Sequence, residues 1–169
     1  MRITNPATNE LIKEVTEDSS QNVETKYQLA RGALASWSQV PLEKRITYIQ
    51  RFYDLLEQNK DNLAKTLTLE VGKPLQESYN EVNGARVRIK FYIDNAQKWL
   101  APQEMNNDGN TADILAFDPL GVVCNISAWN YPFLVGVNVF IPSLLAGNTV
   151  LYKPSEFSTL TGMNIENLL

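Results

Sequence analysis

Two short runs carry the residue types best suited to holding a small polar ligand: Ser127-Ala128-Trp129-Asn130 and Lys153-Pro154-Ser155-Glu156. Each follows a β-rich run, Val122 to Ser127 in the first case and Thr149 to Tyr152 in the second. In an open parallel sheet ligands bind in the crevice beyond the carboxyl ends of the strands. The two runs are therefore expected on the same edge of one sheet, a single crossover apart. A lysine and a carboxylate beside a hydroxyl can hydrogen-bond a ribose diol from several directions. The alternative is a solvated turn in which Ser155 and Glu156 only begin the next helix. Asn130, just before Tyr131-Pro132, carries the same ambiguity. Its side chain can cap the helix that starts there, or its amide can donate to an oxyanion in the crevice. The residues alone leave both pairs of readings open.

Other chemistry is excluded by what is missing. There is no histidine among the 169 residues, so no Ser-His-Asp or Cys-His pair and no imidazole-held metal can form within the chain. Cys124 is the only cysteine, which removes internal disulfides and multi-cysteine metal cages. It falls mid-strand between Val123 and Asn125, where a small inert apolar role is expected. Lys and Arg number 15 against 19 for Asp and Glu, a net charge of -4. That balance argues against nucleic-acid and anionic-membrane partners, which both need a cationic face. The N-terminal residues show no signal-peptide pattern, and a cytoplasmic protein is expected. No G-x-G-x-x-G occurs.

The elements that must position these runs are legible in the periodicities. Ile3 to Val15 reads as two short strands about a turn at Thr8-Asn9-Glu10. Val23, Tyr27, Ala30, Leu34 and Trp37 repeat at helical spacing, as do Leu42, Ile46, Ile49, Tyr53 and Leu56 after Pro41. A third helix carries Leu63 and Leu67 and stops at Gly72-Lys73-Pro74. Val82, Ala85, Ile89, Tyr92, Ala96 and Trp99 mark a long fourth, and the charges between these positions are assigned to a solvated face. Residues 101 to 112 read as a polar linker, Asp113 to Phe117 as a strand, and Asp118-Pro119-Leu120-Gly121 as a type I turn. No charge occurs from 119 to 152. Prolines, glycines and asparagines interrupt that stretch too often for a membrane span. A buried β-α-β unit fits it, with a helix over 132 to 146 that has no polar face. The predicted class is α/β: a hairpin and helical segment over 1-100, a linker and strand over 101-118, and the start of a Rossmann-like parallel sheet over 119-169.

Trp129-Asn130-Tyr131-Pro132-Phe133, then Pro142 to Asn148, then Lys153-Pro154-Ser155-Glu156, closely resembles the aldehyde dehydrogenase superfamily. Asn5-Pro6-Ala7-Thr8 and Glu70-Val71-Gly72-Lys73-Pro74 fit the same family, so the resemblance runs along essentially the whole chain. It implies a catalytic role for Asn130, whose amide would help hold the oxyanion of a thiohemiacetal. Cofactor-binding roles are implied for Ile126, Ser127, Ala128 and Trp129 along the cleft, and for Lys153, Ser155 and Glu156 at the adenosine ribose. A carboxylate at Glu156 would repel a 2'-phosphate, so NAD is favoured over NADP. Many relatives carry a lysine nine residues after the asparagine, where this chain has Val139. The family's nucleophilic cysteine and general-base glutamate lie far downstream of the matched residues. The chain is accordingly expected to be an N-terminal part, without turnover by itself. A small aldehyde is the implied substrate, and a homo-oligomer is expected through the segment around 103 to 118. The alternative reading is a non-catalytic module that pairs with full-length relatives.

Overall fold

A computed structural model describes residues 1–169. Two strands, β1 (Arg2–Thr4) and β2 (Leu11–Glu14), form an antiparallel hairpin whose turn holds Asn9 at φ 59°. Four helices follow: α1 (Ser20–Trp37), α2 (Leu42–Gln58), α3 (Lys60–Val71) and α4 (Leu75–Leu100). Gly72 ends α3 at φ 78°, a left-handed conformation costly for any residue with a Cβ, and Pro74 then resets the chain for α4. All four helices lie where their apolar spacing places them. Their burial is unequal. α2, α3 and α4 supply Ile49, Phe52, Leu56, Leu63, Leu67, Val82, Ala85 and Ile89 to the core, whereas α1 buries no residue.

The uncharged stretch forms a β-α-β unit: β5 (Val122–Ile126), α5 (Pro132–Leu145) and β6 (Thr149–Lys153). The two strands pair in parallel from Val122 opposite Thr149 to Ile126 opposite Lys153. α5 lies between this sheet and α2 and α4, which explains its lack of a polar face. Phe133, Val137, Phe140, Ile141 and Leu145 are buried from α5 and join the helical core directly. α1 lies on the other face of the sheet and is tied to α5 by the Trp37 indole, which donates to the Leu144 carbonyl at 3.1 Å. That cover is partial. Cys124 and Ile126, two apart on that face of β5, are exposed, so Cys124 is not the interior residue expected. A short 3-10 turn (Glu156–Ser158) leads into α6 (Thr159–Leu168), which rests on α3 and α5.

Two local expectations change. The polar stretch 101 to 112 is no structureless linker. Gln103–Asn107 (β3) pairs antiparallel with Ala112–Leu115 (β4), and every residue of both strands is exposed. Asp108 closes the hairpin by accepting from the backbone N–H groups of Asn110 and Thr111, an Asx turn that replaces side-chain packing. Asp118 to Gly121 does not fold into a type I turn. Gly121 instead takes φ 124°, its N–H donates to Asn148 Oδ1 at 2.9 Å, and its carbonyl accepts from Thr149. The start of β5 is thereby tied to the start of β6, and this pairing wins over the local turn.

Candidate functional site

The crevice edge is built by the parallel register. Ile126 stands opposite Lys153, and the Ser127 N–H continues the ladder to the Lys153 carbonyl at 2.9 Å. Beyond this last rung the chains diverge into the two polar runs. The Trp129 and Phe157 rings meet edge to face with centroids 6.5 Å apart, which joins the two corners. The Trp-Asn corner and the Lys-Glu turn therefore lie at the same end of the sheet.

The site residues divide by exposure. Ile126, Ala128, Trp129, Asn130, Lys153 and Glu156 are exposed along this edge. Ser127 and Ser155 are only 5% and 6% exposed. Ser155 caps the 3-10 turn, its Oγ accepting from the Phe157 N–H and donating to Glu156 Oε2. The helix-start role weighed from sequence is thus the one its side chain fills. Ser127 turns its hydroxyl inward, close to the Tyr152 hydroxyl, and neither has a partner of hydrogen-bond geometry. Burial pushes the Tyr152 phenol above its ordinary value, the Ser127 hydroxyl opposes that, and the Glu81 charge adds to it. At the turn, Lys153 Nζ lies 3.8 Å from Glu156 Oε2 and donates to the Pro154 carbonyl at 3.0 Å. Backbone N–H and Ser155 hydroxyl donors hold the Glu156 carboxyl below the usual carboxylate range. An ionised acceptor beside an ammonium donor, both open to solvent, suits a vicinal diol.

Asn130 does not cap α5. The helix begins after Tyr131 with Pro132 in its first turn, and no local side chain caps it. The first free N–H groups find a buried carboxylate instead: Phe133 N–H donates to Glu81 Oε1 at 2.9 Å. Glu81 is also ion-paired with Lys73. Lys73 Nζ in turn donates to the Asn130 carbonyl at 2.8 Å and sits 4.0 Å from the centre of the Tyr131 ring. The Asn130 side-chain amide makes no hydrogen bond within the chain, and the residue is exposed at this end of the sheet.

α6 is capped in the same way. Glu70 accepts from the Leu160 N–H at 2.6 Å, the Thr161 N–H at 2.9 Å and the Thr161 hydroxyl at 3.0 Å. Both carboxyls are pushed above their ordinary value by burial, which their donors and, for Glu81, Lys73 partly oppose. Sequence reasoning missed Glu70, Lys73 and Glu81 as site residues. The signal was present: Glu70 continues the buried spacing of Leu63 and Leu67, and Glu81 lies among Ser78, Val82 and Ala85. A carboxylate inside an apolar stripe is not on a solvated face.

The family model described as "Aldehyde dehydrogenase family" matches residues 1–169. An N-succinylglutamate 5-semialdehyde dehydrogenase of Legionella pneumophila (strain Paris) is 37% identical over 153 residues, which is 90% of this chain and 31% of that protein. A succinate-semialdehyde dehydrogenase [NADP(+)] of Deinococcus radiodurans is 33% identical over 164 residues, 97% of this chain and 34% of the relative. Among solved structures, a betaine aldehyde dehydrogenase variant from Staphylococcus aureus in complex with NAD+ superposes with a TM-score of 0.93 at 30% identity, over 99% of this chain and 35% of that one. The chain spans about a third of the length of the relatives it matches.

Proposed function

The chain belongs to the aldehyde dehydrogenase family, and on that premise we propose that it supplies one wall of an aldehyde-oxidising site. Asn130 is the oxyanion donor and the Lys153–Glu156 turn is the ribose grip. The observation that carries this reading is the Ile126–Lys153 register, which supports one shared edge for both groups. When a thiolate adds to an aldehyde, charge develops on the carbonyl oxygen. A donor already aimed at that oxygen stabilises it most where no reorganisation is needed. The free amide of Asn130 suits that task. Ile126, Ala128 and Trp129 line the apolar approach, and Ser127 and Ser155 support it through backbone and cap. A bound nicotinamide dinucleotide would supply the hydride acceptor.

The family accommodates both NAD and NADP, as its relatives' names and ligands state. Here the ionised, exposed Glu156 favours NAD, because a 2'-phosphate would bring like charge against it. Cys124 is not the nucleophile. It lies two residues behind the end of β5, roughly 7 Å back at strand rise, so it and the Asn130 amide do not converge on one carbonyl. The proposed wall supplies neither the thiol nor the general base. The purified chain is expected to produce no NADH from NAD and propanal, and to bind NAD only weakly in calorimetry. Turnover above background or micromolar binding would overturn this division of labour.

A second reading is favoured by the β3–β4 hairpin, on which Met105, Ile114 and Leu115 are all exposed, with Phe117 just beyond. These apolar groups suit an oligomerisation segment. A cytoplasmic setting and a small aldehyde as the substrate of the complete site belong to the first reading. Native mass measurement is expected to show self-association, and deletion of 103–115 to remove it.

A further inference from the structure

We propose that Lys73 and Glu81 are positioning residues that hold the Asn130 corner in shape for its carbonyl-binding task. This rests on the reading of Asn130 as the oxyanion donor. The corner is a short span between anchors. On its upstream side the Ser127 N–H is fixed to the Lys153 carbonyl. On its downstream side Glu81 holds the Phe133 N–H. Between them, residues 128 to 131 belong to no strand or helix. Lys73 reaches into that gap from the loop joining α3 to α4, donating to the Asn130 carbonyl and lying against the Tyr131 ring. The peptide plane after Asn130 is thereby fixed while the Asn130 side chain is left free. Pinning the backbone from both sides fixes the direction in which the Asn130 Cα–Cβ bond leaves the chain, and the amide, with no internal partner, stays available to a ligand.

The arrangement is specific to these two groups. The Lys73 side chain is 13% exposed and that of Glu81 is fully buried, so water does not readily take the place of either. Glu81 serves as helix cap and counter-ion together, and Lys73 as counter-ion, donor and ring partner. A pair kept only for stability would need neither the carbonyl nor the ring. Replacing a buried ion pair by hydrophobic groups of similar volume is often neutral or stabilising, and removing both charges together leaves neither one uncompensated. The two roles can therefore be separated.

The test uses residue-resolved NMR of the complete 169-residue chain and of the K73M/E81Q double variant. The amide oxygen introduced by E81Q would still accept from the Phe133 N–H, and neither substituted position would carry a charge. The double variant is expected to keep the wild-type thermal midpoint and Phe133 amide protection. Its Asn130 carbonyl carbon signal should shift, and the backbone of residues 128 to 131 should become more mobile on the ps–ns timescale. A folded double variant with unchanged Asn130 signals would overturn the proposal. Should that variant not fold, the wild type decides: slowly exchanging Lys73 ammonium protons with cross-relaxation to the Tyr131 ring are expected, and their absence contradicts it. Failure here leaves the Asn130 reading standing, whereas NADH production from propanal by the purified chain would strike that reading and not the geometry of the corner.

Discussion

The junction beneath α5 and the β3–β4 hairpin are both crowded with polar groups, and they satisfy them in opposite ways. At the junction, Glu70 and Glu81 leave the apolar faces of α3 and α4 and cap helices far away in sequence. In the hairpin, Asp108 satisfies backbone groups two and three residues on, entirely in solvent. Buried carboxylates that serve long-range donors hold two layers in register. An exposed Asx turn only shapes its own loop. Polar content alone therefore says little about what a segment does; the range of its hydrogen bonds says more.

The difference can be broken most violently at the junction. Lys73→Met leaves Glu81 buried without its counter-ion, and about 3–5 kcal/mol of stability should be lost, read by chemical denaturation. Neutralising Glu81 in the same chain should restore most of it. Glu70→Ala strips two backbone N–H groups of α6 of their acceptor, a loss of about 1–3 kcal/mol, with faster hydrogen exchange at Leu160 and Thr161.

A pH series sharpens the contrast through its sign. Burial raises the folded-state values of Glu70 and Glu81 above 4.5, so the folded chain holds protons that the unfolded chain has released. Their contribution to stability falls as pH rises from about 4.5 through the raised values. Glu70→Gln should flatten that part of the profile. The hairpin behaves inversely: the N–H donors of Thr111 and Asn110 depress Asp108 below 3.8. Its contribution is present above that value and is lost only as pH falls through the depressed one. Asp108→Ala, the mildest change, should leave the global melting midpoint in place and abolish amide protection at Asn110 and Thr111 alone.

The same contrast explains what the sequence disclosed. The four helices, the β-α-β unit and its parallel pairing follow from spacing, turn residues and the uncharged run 119 to 152, all of which are local. The crevice runs were legible because strand ends in a parallel sheet face one edge. The Asn130 corner was read correctly in place and incompletely in cause. Its helix is capped by Glu81, 52 residues away from Phe133, and no window of sequence contains both partners. The Asp118–Gly121 turn failed for a related reason, since Asn148 competes for the Gly121 N–H from across the sheet. Residues 101 to 112 were misread because alternation cannot announce strands that are polar and exposed on both faces. What does generalise is the charge in an apolar stripe: Glu70 and Glu81 each marked a buried partner.

Titration of the isotope-labelled chain with NAD tests the shared crevice edge most directly. Backbone and side-chain signals of Trp129, Asn130, Lys153 and Glu156 should move together with one apparent affinity, and less with NADP at equal concentration. Shifts confined to one strand end, or centred away from both corners, would contradict a common ligand edge.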